Sequence, residues 1–204
     1  MTDLVTGLDG HDRCAWGASN DDYVPYHDLE WGRPTTDERT LFEKLCLEGF
    51  QSGLSWITIL RKRPAFREVF ADFDAETVAG FGDADVERLL GDERIIRHRG
   101  KIEATINNAR ALCELHDGGR TLAGVIWNHE PPEGAPETMG DVAASTPEST
   151  ALSKELKKLG FRFVGPTTAY AAMQAMGVVA DHMVGCWVRD ECVAERAALS
   201  RPTT

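Results

Sequence analysis

His182 and Cys186 lie four residues apart, a spacing that on a helix brings an imidazole and a thiolate to one face, within reach of a single ion. Cys14 and His27, near the other end of the chain, could supply two further ligands and complete a tetrahedral Cys₂His₂ set suited to one structural zinc ion. Such an ion would tie the N-terminal segment to the C-terminal one. Spacing alone leaves a second reading open, in which the thiols are small core residues and the imidazoles ordinary polar side chains. Cys192 is a competing ligand, while Cys46 and Cys113 fall within helical apolar patterns and read as core.

A carboxylate raises a different question. Glu48 follows Leu41 by one heptad, so on a helix it shares the apolar stripe of Leu41 and Leu45 instead of facing water. Around it in sequence stand Trp16, Tyr23, Tyr26, Trp31 and Trp56, rings with a polar tip gathered at one end of the chain. Several rings and one carboxylate suit a flat, cationic heteroaromatic ligand. The alternative is that the rings anchor the core and Glu48 pairs with a backbone amide near the helix end.

The elements that must position these groups read as helices. Apolar residues recur at helical spacing, and no alternating β-branched run is long enough for a sheet, so the fold class is all-α. Thr35 and Glu38 have capping-box spacing ahead of a helix over 37–47. Further helices are expected over 52–62, 64–70, 75–79, 84–90, 98–116, 121–127, 150–159 and 167–176. The segment 130–146, with Pro131, Pro132, Gly134, Pro136 and Gly140, reads as a surface excursion. Near the end, Gly160 can close one helix and Gly165-Pro166 open the next. That is a helix, hairpin, helix pattern whose amides can approach a phosphate, although an ordinary αα-hairpin looks the same.

Composition bounds the function. The 204 residues with 42% apolar content can build one core, and no apolar run approaches a membrane span. Five cysteines without an export signal point to a reducing, cytoplasmic setting. A net charge of −11 opposes nucleic-acid binding when taken whole. Locally the balance differs: Arg94, Arg97, Arg99, Lys101 and Arg110 face Glu103 alone, and Lys154, Lys157, Lys158 and Arg162 face Glu155 alone. Each run reads equally well as a solvated helix face.

Phe161-Arg-Phe-Val-Gly-Pro-Thr-Thr-Ala169 resembles the hairpin of the helix-hairpin-helix DNA glycosylases. Arg13-Cys-Ala-Trp-Gly17, Tyr26-His-Asp-Leu-Glu-Trp-Gly32, Leu47-Glu-Gly-Phe-Gln-Ser-Gly-Leu-Ser-Trp56, Ile95-Ile-Arg-His-Arg-Gly-Lys-Ile102 and Asp181-His-Met-Val-Gly-Cys186 resemble the hallmark segments of the DNA-3-methyladenine glycosylase I family. The resemblance divides the chain into a disordered N-terminal extension (1–12), a glycosylase domain (13–187) and a C-terminal tail (188–204). It implies a helical domain with its ends joined by zinc on Cys14, His27, His182 and Cys186. It also implies a base pocket of Trp16, Tyr23, Tyr26, Trp31 and Trp56 with Glu48 as the catalytic carboxylate. Leu54 matches the wedge that fills the duplex, and Gly165 and Thr167 belong to the DNA-binding hairpin. Asp181 stands where many superfamily members carry a catalytic aspartate. The lyase members carry a Schiff-base lysine where Thr167 stands, which implies hydrolysis of the glycosidic bond without strand cleavage. Phe50 replaces a polar residue of the pattern. The implied activity is release of 3-methyladenine from alkylated double-stranded DNA by a monomer. The alternatives are a zinc-stapled lesion-binding module without catalysis and a hydrolase of free nucleosides.

Overall fold

The computed structural model describes residues 3–202. Its centre is α2 (Glu38–Gln51), in which every residue from Leu41 to Phe50 is buried, the signature of a helix enclosed by others. Asp37 caps it by accepting the Thr40 N–H at 2.8 Å. Glu38 has another task. It accepts the amides of Leu122 and Ala123 at 2.9 and 2.7 Å, closing the N-terminus of α7 (Leu122–Trp127). The expected Thr35–Glu38 box is therefore replaced by an Asp37 cap and a tertiary one.

Packed around α2 are α3 (Trp56–Val69), α6 (Arg99–Asp117), α7 and α9 (Pro166–Ala175). The short α4 (Ala75–Ala79) and α5 (Asp83–Gly91) lie on α6, and α8 (Pro147–Lys158) lies on α9. Phe42, Phe50, Phe66, Phe70 and Phe73 form the aromatic centre of the core, with Phe50 and Phe66 centroids 4.6 Å apart. Phe50, the departure from the family pattern, is thus a core residue.

α3 continues through Pro64, where a break was expected between 62 and 64; burial of Ile59 on one side of the proline and of Phe66 and Val69 on the other holds the helix together. It also starts later than expected, because 52–55 form a separate turn.

Other elements were not expected. Leu4–Thr6 (β1) and Asp12–Cys14 (β2) pair antiparallel, with Leu4 opposite Cys14. The extension 1–12, expected to be disordered, therefore holds a strand, and the fold carries a two-stranded ribbon beside its helices. α1 (Tyr23–Leu29) follows, and α10 (Arg189–Ala198) lies within the region expected to be a tail. Among the described residues no helix is long and apolar enough to cross a membrane.

Candidate active site and metal centre

The expected rings converge. Trp16, Tyr23, Tyr26, Trp31 and Trp56 line one cavity of about 240 Å³, with Glu48 in its wall. Trp16 meets Trp31 edge to face at 4.9 Å and Tyr23 at 5.7 Å, and the Tyr26 ring lies 5.5 Å from Trp56. The Trp56 indole nitrogen is buried without a hydrogen-bond partner, so packing alone sets that ring's position.

Glu48 is 5% exposed. Burial pushes its carboxyl up to about 8, only partly offset by Lys44, and no hydrogen bond contributes. Lys44 is itself held by Glu30 at 2.7 Å. The group is therefore predominantly protonated at neutral pH in the free protein, not the resident anion that a carboxylate for a cation suggests. Asp181 lines the same cavity but is differently placed: Tyr170 Oη and Gln174 Nε2 donate to its Oδ2 at 2.6 and 2.8 Å.

Gln51, Met139, Val142 and Gln174 also line the cavity and escaped the sequence reading. Gln51 and Gln174 sit on helices whose periodicity is apolar, and Met139 and Val142 come from the 130–146 excursion, which has no periodicity to read.

Behind Trp16 and Trp31 lies the second constellation. Ligand atoms of Cys14, His27, His182 and Cys186, all buried, lie within 4.8 Å of one another. Cys14 Sγ is 3.8 Å from His182 Nδ1, and Cys186 Sγ is 3.5 Å from His27 Nε2 and 3.7 Å from His182 Nδ1. A tetrahedral ion with bonds of about 2.0–2.3 Å requires edges of roughly 3.3–3.8 Å, which these distances match. The tautomers fit as well. His27 Nδ1 lies 2.8 Å from Asp28 Oδ1 and His182 Nε2 3.0 Å from the Trp31 carbonyl, so each ring can donate outward and keep a lone pair for the ion. Cys186 is driven strongly toward thiolate, first by the Cys14 hydrogen bond and then by His182 and His27, and the same Cys14–Cys186 contact drives Cys14 up.

Local structure explains the spacing differently from expectation. Residues 182–186 are a tight turn, not a helix, closed by Cys186 N donating to Met183 O at 2.9 Å with Gly185 at φ +89°. Two motif glycines make room for the imidazoles. A side chain at Gly17 would collide with the His27 ring, and a Cβ at Gly32, where φ is +79°, would lie 2.8 Å from His182 Nε2. Cys192 is buried nearby but lies outside the ligand cluster.

Of the expected DNA-facing groups, Leu54 is 39% exposed on the turn after α2. Gly165 caps α9 and Thr167 is exposed in its first turn. Much of the basic run 94–110 is engaged by neighbouring elements: Arg94 pairs with Asp92 and Glu68, Arg99 with Glu87, and Arg110, still charged, donates to the Ala79 and Phe81 carbonyls. The exposed side chains of Lys154, Lys157, Lys158 and Arg162 lie on α8 and the connection to α9.

Comparison with known proteins agrees with this geometry. The chain is 50% identical over 178 residues to DNA-3-methyladenine glycosylase 1 of Escherichia coli (strain K12), covering 86% of this chain and 95% of the relative. A crystal structure of 3-methyladenine DNA glycosylase I superposes with a TM-score of 0.84 at 48% identity, over 86% of this chain and 98% of that one. A structure addressing 3-methyladenine recognition by the Staphylococcus aureus glycosylase I gives 0.83 at 35% identity, over 87% and 96%. The family model for methyladenine glycosylases matches residues 16–190. The fold is thus shared over most of the chain length, and the chain belongs to the methyladenine glycosylase family.

Proposed function

We propose that the protein is a monofunctional base-excision glycosylase of the helix-hairpin-helix superfamily, which flips 3-methyladenine out of alkylated double-stranded DNA and hydrolyses its glycosidic bond. The observation that carries this reading is the buried Glu48 carboxyl, without a hydrogen bond of its own, in a wall of aromatic rings. Adenine methylated at N3 is positively charged, so its glycosidic bond is already weakened and selection is the enzyme's main task. Burial holds Glu48 neutral until a cation enters, and the cation then makes its ionisation favourable. Neutral adenine offers no such compensation. Once ionised, Glu48 stabilises both the cationic base and the oxocarbenium-like charge that develops on the sugar.

Trp56 stacks on the flipped base, which the remaining rings enclose, and Leu54 fills the space it leaves. The amides at the N-terminus of α9, at its cap Gly165 and at Thr167 in its first turn, take a DNA phosphate without a basic side chain, as an acidic protein requires. Thr167 in place of an amine nucleophile restricts the reaction to hydrolysis. Cys14, His27, His182 and Cys186 would hold one structural zinc ion, which with a Cys₂His₂ donor set would supply rigidity and not chemistry. Wedge, pocket and hairpin all lie on one chain, which supports action as a monomer, and the free thiols support a cytoplasmic setting.

The test is release of free base from methylated duplex. Wild type should liberate 3-methyladenine and leave the strand intact; binding without release would make the protein a lesion sensor. Glu48→Gln should fold and bind duplex but lose about 10²-fold or more in single-turnover excision. Near-normal excision by Glu48→Gln with an inactive Asp181→Asn would move the catalytic role to Asp181, and activity in both would remove it from either carboxylate.

A further inference from the structure

Two loops meet at one face of α6. The turn carrying Leu54 begins at the C-terminus of α2, where the last carbonyls of a helix lack internal partners. Lys101, 8% exposed in the first turn of α6, donates from Nζ to the Phe50 carbonyl at 2.8 Å and the Ser52 carbonyl at 2.5 Å. The turn closes on itself through Leu54 N to Gln51 O at 2.6 Å and Gln51 Nε2 to Leu54 O at 2.8 Å. With Gly53 at φ +81°, Leu54 is presented on a tightly tied backbone.

Asn108 follows Lys101 by seven residues, on the same face of α6. Its Oδ1 accepts the Arg162 N–H at 2.7 Å, and its Nδ2 donates to the Arg162 carbonyl at 3.1 Å. Asn107 Nδ2 donates to the Gly160 carbonyl at 2.7 Å. The α8–α9 connection needs this grip, because Phe163 sits at φ +55°, a conformation that strains a bulky residue. The α8–α9 connection also comes close to the last turn of α2: a Cβ on Gly49 would lie 3.4 Å from Phe163 Cβ.

We infer that α6 is a bracket that sets the Leu54 turn and the α8–α9 hairpin in register for one DNA duplex, with Lys101 and Asn108 as its two positioning arms. This rests on the glycosylase reading. Neither arm lines the base pocket, so the bracket acts on engagement of DNA and not on recognition of the base. Because a wedge and a phosphate grip must meet the same duplex, freeing either one loses the alignment of both.

The experiment is a double-mutant cycle of Lys101→Met and Asn108→Leu, with excision kinetics on a lesion duplex and calorimetry with free 3-methyladenine. Each single variant is expected to raise KM about tenfold, as for loss of one charged or paired backbone hydrogen bond, while kcat and free-base affinity stay within about twofold. The double variant should be no worse than either single one, because the arms serve one alignment. Lys101→Arg, which keeps the donor, should recover most of the loss. Unchanged KM, or single effects that multiply in the double variant, overturns the bracket. Loss of free-base affinity in a folded variant does so too, by assigning the arms to the pocket. If Asn108→Leu fails to fold, Asn107→Ala supplies the hairpin arm of the cycle. A wild type that releases no base would instead defeat the glycosylase reading, a result visible before any variant is made.

Discussion

Glu48 is a carboxyl that burial holds in its neutral form. A carboxyl at about 8 in the fold and near 4.5 when unfolded keeps its proton in the native state while the unfolded chain has lost it. Its contribution to stability is therefore full below about pH 4.5 and declines as pH rises toward 8. The expected outcome is that Glu48→Gln stabilises the protein at pH 8 by a few kcal/mol relative to wild type, with a much smaller gain at pH 4.5, read from urea melts across that range. A pH-independent difference would mean that the carboxyl is not held neutral. Trp56 is tested by binding. Trp56→Ala should weaken affinity for free 3-methyladenine by ~1–3 kcal/mol, measured by calorimetry on a variant shown to be folded. Unchanged affinity would place the ring in the core alone.

At the scale of elements, Glu38 joins the start of α2 to the start of α7 by accepting two backbone N–H hydrogen bonds, and His116 Nε2 lies 2.7 Å from the same carboxylate. Glu38→Ala should cost about 1–2 kcal/mol in chemical denaturation without changing the pocket. Helices with apolar stripes and local caps, such as α4 and α7, were legible in the sequence nearly to the residue. α10 was not, because its buried side includes arginines: Arg189 reaches the Ala180 and Gly134 carbonyls and Arg196 the Pro131 carbonyl. These partners lie elsewhere in the chain, so no periodicity announces them. α1 hides for the opposite reason, burying Tyr26, His27 and Asp28 while Leu29 stays 72% exposed. The ring pocket was readable because its rings cluster in sequence. Met139 and Gln174 were not, because only the tertiary fold brings them there. Cys14, His27, His182 and Cys186 come together although the helix assumed for the last two does not form, since a tight turn also brings residues four apart together.

For the whole molecule, the Cys/His cluster and the ring-lined cavity are two sides of one wall. Trp31 packs against His182 at 4.7 Å and Trp16 against His27 at 5.2 Å, while both tryptophans line the pocket. Elemental analysis should find one zinc per chain, and chelation should lower the melting temperature and loosen base binding together. Cys186→Ala should be less stable than wild type and insensitive to added zinc. A metal-free protein of full stability would sink the clamp.

The same junction decides where a pull on the chain ends is felt. Asp12 accepts the Trp187 N–H at 2.9 Å, and Cys14 and Cys186 face each other across the ligand cluster, so the segments that flank residues 15–185 are fastened to one another. Tension applied through the termini runs across this short clasp and bypasses the residues between 14 and 186. The helical body is mechanically a closed ring. A protease or translocase pulling from either end reaches the residues between 14 and 186 only after breaking that clasp.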